Sequence, residues 1–243
     1  MKNNNKFRLD VWGAITLGTI ALYALFLLYP MAYLIRQSVL DPDTGSFTLA
    51  YFTKFFSKSY YFDTLINSFK VSITATVLSI AIGTPLAYLF TIFKIKGKSV
   101  LNILIVVASM SAPFIGAYSW ILLLGRSGVI TTFFKNLGIA IPDIYGFGGI
   151  VLVMTLQLFP LVFLYAKGAL KNIDNSLIEA AENLGCSGIA CFFKVVVPLI
   201  MPTLLAAALL VFMRSFADFG TPMLIGEGYR TFPVVLYTEF INR

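Results

Sequence analysis

Apolar residues run along this chain in long unbroken stretches instead of alternating with polar ones at the period of a strand or of an amphipathic surface helix. A helix rises 1.5 Å per residue and the hydrocarbon core of a bilayer is about 30 Å thick, so one crossing needs roughly 20 apolar residues. Five segments meet or approach that requirement and are predicted to span: Val11 to Ile35, Val71 to Phe93, Ser99 to Gly125, Gly146 to Ala166 and Val195 to Met213. The first has no small-residue cleavage pattern at its end and is too long for a signal-peptide core, so it is predicted to be a retained helix. After Met213 the charges at Arg214, Asp218, Glu227, Arg230, Glu239 and Arg243 leave stretches too short to cross. The tail "FPVVLYTEFINR" then reads as the lead into a further helix.

Turn and breaker residues lie between these segments. "DPDTG" at Asp41 to Gly45 signals a turn, and the aromatic "AYFTKFFSKSYYF" after it suits the membrane interface. The expected fold class is therefore an all-α integral membrane protein, one domain over residues 1–243.

Composition agrees with the pattern. Hydrophobic residues make up 58% and charged residues 12% of 243 positions, which argues against a soluble fold. The net charge of +7 is spread in small groups at the ends of apolar runs, where it orients helices and gives no basic face for nucleic acid. There is no histidine, which removes Ser-His and Cys-His nucleophile pairs and the commonest transition-metal ligand. No catalytic residue and no metal site is expected. Cys186 and Cys191 have neither zinc-pair nor redox spacing and read as small or core residues.

Orientation follows Lys and Arg in the loops. With the N-terminus in the cytoplasm, Lys2, Lys6, Arg8, Lys94, Lys96, Lys98, Lys167, Lys171 and Lys194 lie inside, balanced by as many outside. The compact "KIKGK" loop favours this arrangement, which also puts the segment around Glu179 in the cytoplasm.

That segment, "IEAAENLGCSGIACFFKVVVPLIMP" from Ile178 to Pro202, is an unusual loop. Ser176 and Glu179 stand three apart, the spacing of a capping box that starts a helix. On this helix Leu177, Ala180, Ala181 and Leu184 share a face, with Glu182 and Asn183 turned away. Gly185 is placed to end the helix in the left-handed conformation, and Ser187 to cap a second short helix running toward the membrane. By the residues alone, this loop rests on the membrane surface or docks on a partner.

The spacing also carries a resemblance. Glu179-Ala180-Ala181, three residues, Gly185, nine residues, then Val195-x-Val197-Pro198 resembles the EAA loop of binding-protein-dependent ABC importer permeases, with Val195 and Val197 as mild departures. "LINSFKVSITATVLSIAIGTPLAYLF" looks like the second core helix of that family, and "FADFGTPMLIG" resembles the segment after the fifth helix in iron(III)-type permeases. The resemblance covers most of the chain from about Leu65. It implies a MetI-like transmembrane helical bundle with six core helices, of which five spans are seen here, as in a fragment, a truncated product or the opening part of a fused permease. It further implies a coupling loop at about residues 167–194, with Glu179, Ala180, Ala181, Gly185 and Pro198 as its marked positions. The implied partners are a cytoplasmic ABC ATPase dimer, an extracytoplasmic solute-binding protein and a second permease unit, either a copy or a fused half, in the cell inner membrane. The substrate implied is iron(III), with phosphonate, polyamine, sulfate and thiosulfate as alternatives.

Such a permease needs no cofactor of its own, since ATP is bound by the partner. "GKS" at Gly97 to Ser99 is not a P-loop, because Ile92 stands where its first glycine is required. "GFGG" at Gly146 lacks the dinucleotide-loop spacing. Within the spans, Ser109, Ser111, Pro113, Gly116, Gln157 and Pro160 are candidate pathway or helix-contact positions, because polar and helix-breaking residues in hydrocarbon face protein or water. Arg214 and Asp218, four apart, are placed to pair. A stand-alone channel or secondary transporter would carry ionisable residues within its spans, and the first four have none. A non-transporting assembly subunit is the remaining different-class reading.

Overall fold

The computed structural model describes residues 11–41, 44–93, 96–110, 112–139, 141–186 and 188–241, without the side chains of residues 175, 182 and 240. The expected positions Ser111 and Ser187, and the basic residues Lys2, Lys6, Arg8 and Lys94, lie outside them. The chain forms two compact units, Met1–Phe62 and Asp63–Arg243.

The first unit holds helix α1, Val11–Val39, which includes one π-helical turn at Ala24–Leu28. None of its residues is buried, as suits a helix surrounded by lipid. A tight turn follows: Gly45 has φ +65°, its N–H donates to Asp41 O, and Leu40 bridges Phe47. The short aromatic helix α2 is Ala50–Ser57.

Helix α3, Ser59–Ile92, runs from the end of this unit into the second. It starts earlier than the span expected from Val71, because Asp63 and Lys70 interrupt the hydropathy without interrupting the helix. The other elements are α4, Lys98–Ser109; α5, Pro113–Leu124; α6, Val129–Asn136; and α7, Phe147–Lys171. They are followed by α8, Asn175–Asn183; α9, Gly188–Ala217; α10, Gly220–Ile225; and α11, Phe232–Ile241.

The core of the second unit is built around α7. It packs against α9, α4, α5 and α10, and its fully buried side chains include Ile150, Val153, Met154, Val162 and Phe163. Helix α3 closes on it at Gly83, where a Cβ would lie 2.8 Å from Val162 Cβ and 2.9 Å from the Phe159 carbonyl oxygen. Ring contacts set the direction of α3 against α9: Phe69 meets Phe212 and Phe216, while Tyr88 meets Phe192, so the two run antiparallel.

The third expected span, Ser99 to Gly125, is one crossing made of two helices. At one end Lys167 Nζ of α7 donates to Asn102 Oδ1 of α4. At the other, Arg126 just past α5 bonds Asp143 just before α7. The α4–α5 pair therefore runs the length of α7, broken between Ser109 and Pro113. By length and apolar composition alone, Pro113–Asn136 also qualifies as a span. It bends at Gly125 to Gly128, however, and the contacts at the two ends of α7 favour the α4–α5 assignment.

The fourth span extends past Ala166 to Lys171. The fifth does not begin at Val195: from Gly188 the helix is continuous to Ala217, with a π-helical turn at Phe192–Val196. The second short helix of the loop is thus the first stretch of the spanning helix. Cys186 and Cys191 are not joined in a disulfide, and Cys191 is buried.

Candidate functional site

Two places bring together residues singled out from the sequence. The first is the turn between α7 and α9. Helix α8 starts one turn after Lys171, and its cap is Asp174 instead of the expected Ser176–Glu179 box: Asp174 Oδ1 accepts the Ser176 N–H at 3.0 Å. An aspartate two positions upstream simply reaches the free N–H groups first. Those bonds hold the Asp174 carboxyl below the ordinary carboxylate value.

Helix α8 ends as the glycine predicts. Gly185 has φ +85°, and the Cys186 N–H returns to the Ala181 carbonyl at 3.0 Å, the six-to-one bond of a Schellman motif. One face of the helix turns inward, with Ile178 packed on the core cluster and Ala181 half-buried. The other is open: Leu177 is 50% and Leu184 89% exposed, and Glu179 and Ala180 are exposed with them. Pro198 is not part of this turn. It sits exposed on α9, just after the π-helical turn.

The second place is a cavity of about 480 Å³ among α4, α5, α7 and the end of α9. Ser109, Pro113 and Gln157 line it, together with Arg214, Asp218 and Phe219. Ser109 and Pro113 flank the break in the third crossing. A broken backbone at membrane depth persists only where protein or a water-filled space satisfies its polar groups, and here it borders the cavity. The Ser109 hydroxyl donates to the Val106 carbonyl at 2.6 Å, leaving its oxygen free to accept. Pro160 is buried and Gly116 half-buried in the helix packing, and neither lines the cavity.

Arg214 and Asp218 do not pair. Both oxygens of Asp218 are taken by α10: Oδ1 accepts the N–H groups of Gly220 at 2.9 Å and Thr221 at 3.4 Å, and Oδ2 accepts the Thr221 hydroxyl at 2.6 Å. A carboxylate at a helix N-terminus is stabilised there by the exposed amides, which outbid a flexible guanidinium. Burial pushes its carboxyl up from the ordinary value, against the pull of these bonds. Sequence spacing could not reveal this choice, since an i, i+4 pair and a cap for the following turn read alike.

At the same end of the bundle as Asp218, Arg126 ties three loops. Its Nε is 3.0 Å from Asp143 Oδ2, its terminal nitrogen is 2.8 Å from Glu227 Oε1, and its guanidinium lies 4.7 Å from the Tyr145 ring centre. Gly146, at φ +92°, donates to the Ile225 carbonyl beside this cluster.

A bundle of apolar crossings, a short capped helix between the fourth and fifth, and a cavity at a broken helix set the frame for comparison with known proteins. Residues 46–242 match the family described as binding-protein-dependent transport system inner membrane component. The chain belongs to this family. It is 28% identical over 240 residues to the ferric transport system permease protein FbpB of Actinobacillus pleuropneumoniae, covering 98% of this chain and 34% of that protein. It thus spans about a third of the length of the ferric relatives it matches. To the spermidine/putrescine transport system permease protein PotB of Haemophilus influenzae it is 28% identical over 232 residues, covering 92% of this chain and 79% of that one. In fold it is similar to a chain of the bacterial alginate ABC transporter crystallised with an alginate pentasaccharide-bound periplasmic protein. The TM-score is 0.77 at 16% identity, covering 96% of this chain and 83% of that one. The MetI-like helical fold expected from the sequence is the fold observed.

Proposed function

We propose that this chain is the permease subunit of an ATP-driven importer, receiving substrate from a binding protein outside and coupled through α8 to a cytoplasmic ATPase dimer. The observation that carries this reading is the open face of α8. Leu177, Ala180 and Leu184 are exposed on a short helix that is capped at one end, closed by Gly185 at the other, and followed directly by a spanning helix. Small and apolar residues there admit close approach of a partner groove. ATP binding would close the ATPase dimer, draw the coupling segments together and switch the spans between inward-open and outward-open states. On this reading ATP binds on the partner, and the pathway is completed by a second permease unit, a copy or a fused half. The N-terminus is taken as cytoplasmic in a multi-pass inner-membrane protein, which puts Lys98, Lys167 and Lys171 on the α8 side.

Iron(III) remains the first substrate reading, supported by "FADFGTPMLIG" and by the ferric relatives. A polyamine is the second, favoured by the spermidine/putrescine relatives at equal identity. The test is cross-linking from Ala180→Cys, on the open face of α8, to the candidate ATPase, with Cys186 and Cys191 replaced and nucleotide present or absent. A cross-link whose yield changes with ATP is the expected result. No cross-link with both proteins together in the membrane would return α8 to the role of a surface loop.

A further inference from the structure

The cavity beside the helix break carries a charge that its walls leave unpaired. Arg214, exposed at the end of α9, lines it and has no acid within ion-pair distance among the described residues. The carboxylate one turn away, Asp218, spends both oxygens on the first amides and the threonine hydroxyl of α10. Gln157, midway along α7, brings a carboxamide to the same space. The remaining wall is largely aromatic: Phe114 and Phe219 meet edge to face with centroids 5.5 Å apart, and the Phe114 ring packs so close to Gly220 that a Cβ there would lie 3.2 Å from it.

An unpaired guanidinium among apolar spans is costly, and such groups mark ligand or ion paths. Its planar fork matches carboxylates and oxyanions, offering two parallel N–H donors where an ammonium offers a point charge. The largely apolar wall strengthens that attraction relative to open water, and strengthens the repulsion of a cation to the extent that the Asp218 carboxylate, turned toward α10, does not offset it. From this arrangement we infer that the cavity is a substrate subsite for an anionic oxygen group, a carboxylate or oxyanion, free or as part of the shell around a metal ion, held by Arg214 with Gln157 beside it. The inference rests on the permease reading and narrows its substrate class: a bare polyamine is repelled, whereas an oxyanion or an anion-wrapped metal ion is drawn in.

The test reads the field in the cavity without knowing the substrate. Ser109→Cys is made in the full chain with Cys186 and Cys191 replaced, and its modification rate is compared between two methanethiosulfonates of similar size, one bearing a sulfonate and one a trimethylammonium. The rate ratio, normalised to that of a free thiol in solution, favours the sulfonate, and Arg214→Gln lowers it roughly tenfold while Arg214→Lys keeps most of it. A ratio that Arg214→Gln leaves unchanged, a preference for the cation, or a thiol that neither reagent reaches overturns the inference. Stimulation of the partner ATPase by loaded binding protein is measured on the same preparation. Stimulation without an anion preference overturns the subsite and leaves the permease reading standing, whereas an anion preference in a complex whose ATPase never responds overturns the permease reading and leaves the charge-selective cavity. ATP-driven uptake of spermidine by the wild-type complex, unaffected by Arg214→Gln, also overturns the subsite.

Discussion

Gly83 of α3 faces Val162 of α7 with no room between them, since a Cβ at position 83 would lie 2.8 Å from Val162 Cβ and 2.9 Å from a backbone oxygen. Lipid tails are as apolar as the helices, so association in a bilayer depends on such close approach more than on burial of apolar area. Gly83→Ala is expected to lower the thermal midpoint in detergent, by an amount corresponding to about 1–3 kcal/mol of overpacking. Gly148→Ala, where a Cβ meets nothing within 4 Å, is the control and leaves the midpoint unchanged or raises it slightly, alanine being the better helix former. Equal shifts in the two variants would show that the α3–α7 approach is not what position 83 secures.

Gly185 makes the turn between α8 and α9 at φ +85° in open space, so conformation and not crowding excludes a side chain. Gly185→Val should cost about 1–2 kcal/mol locally, because a β-branched residue resists the left-handed region. Membrane insertion should stay normal while binding-protein-stimulated ATP hydrolysis falls severalfold. Normal stimulation would mean that the angle between α8 and α9 is not part of coupling.

Asp174 gives α8 a pH-dependent cap. Its folded pKa is depressed, so the stabilisation is present above the ordinary aspartate value and is lost as pH falls through the lower, folded value. Amide exchange of residues 175–183, corrected for intrinsic rates, should therefore keep its protection at neutral and mildly acidic pH and lose it in strong acid. Asp174→Ala should remove that protection at every pH. A profile identical in wild type and variant would assign the start of α8 to some other group.

The Arg126 cluster joins the loops before α6, before α7 and after α10 through one guanidinium. All three side chains are well exposed, so screening weakens them. Arg126→Lys keeps the charge but loses the fork, and exchange in residues 125–128 and 226–228 should quicken. Higher ionic strength should reproduce that effect in the wild type and add little in the variant.

Much of this fold was legible because crossing a bilayer demands length and apolarity, which hydropathy measures directly. What hydropathy missed was governed by backbone chemistry. The break before Pro113 had a signal in that proline: a residue before proline is driven out of the helical region, and Ala112 is extended at ψ 141°. The early start of α3 was hidden because Asp63 and Lys70 end an apolar run without ending a helix. At the turn, Gly185 was readable from its own type, but Asp174 and Ser176 are equally good caps and only the geometry chooses between them. The cavity was the least legible feature. Ser109 and Gln157 could be noticed as polar residues in apolar runs, yet nothing local tells that they share a space with Arg214.

The unbroken helix from Gly188 to Ala217 has a mechanical consequence. Its 30 residues amount to a rod of about 45 Å, joined at one end to the α8 turn and bearing Arg214 near the other. If the helix moves as one body against α7, a sideways push at Gly188 arrives at Arg214 with its sign reversed, and the π-helical turn at Phe192–Val196 with Pro198 and Pro202 is where it would bend instead. The guanidinium at the cavity and the glycine beside the α8 turn would in that sense be the two arms of one lever.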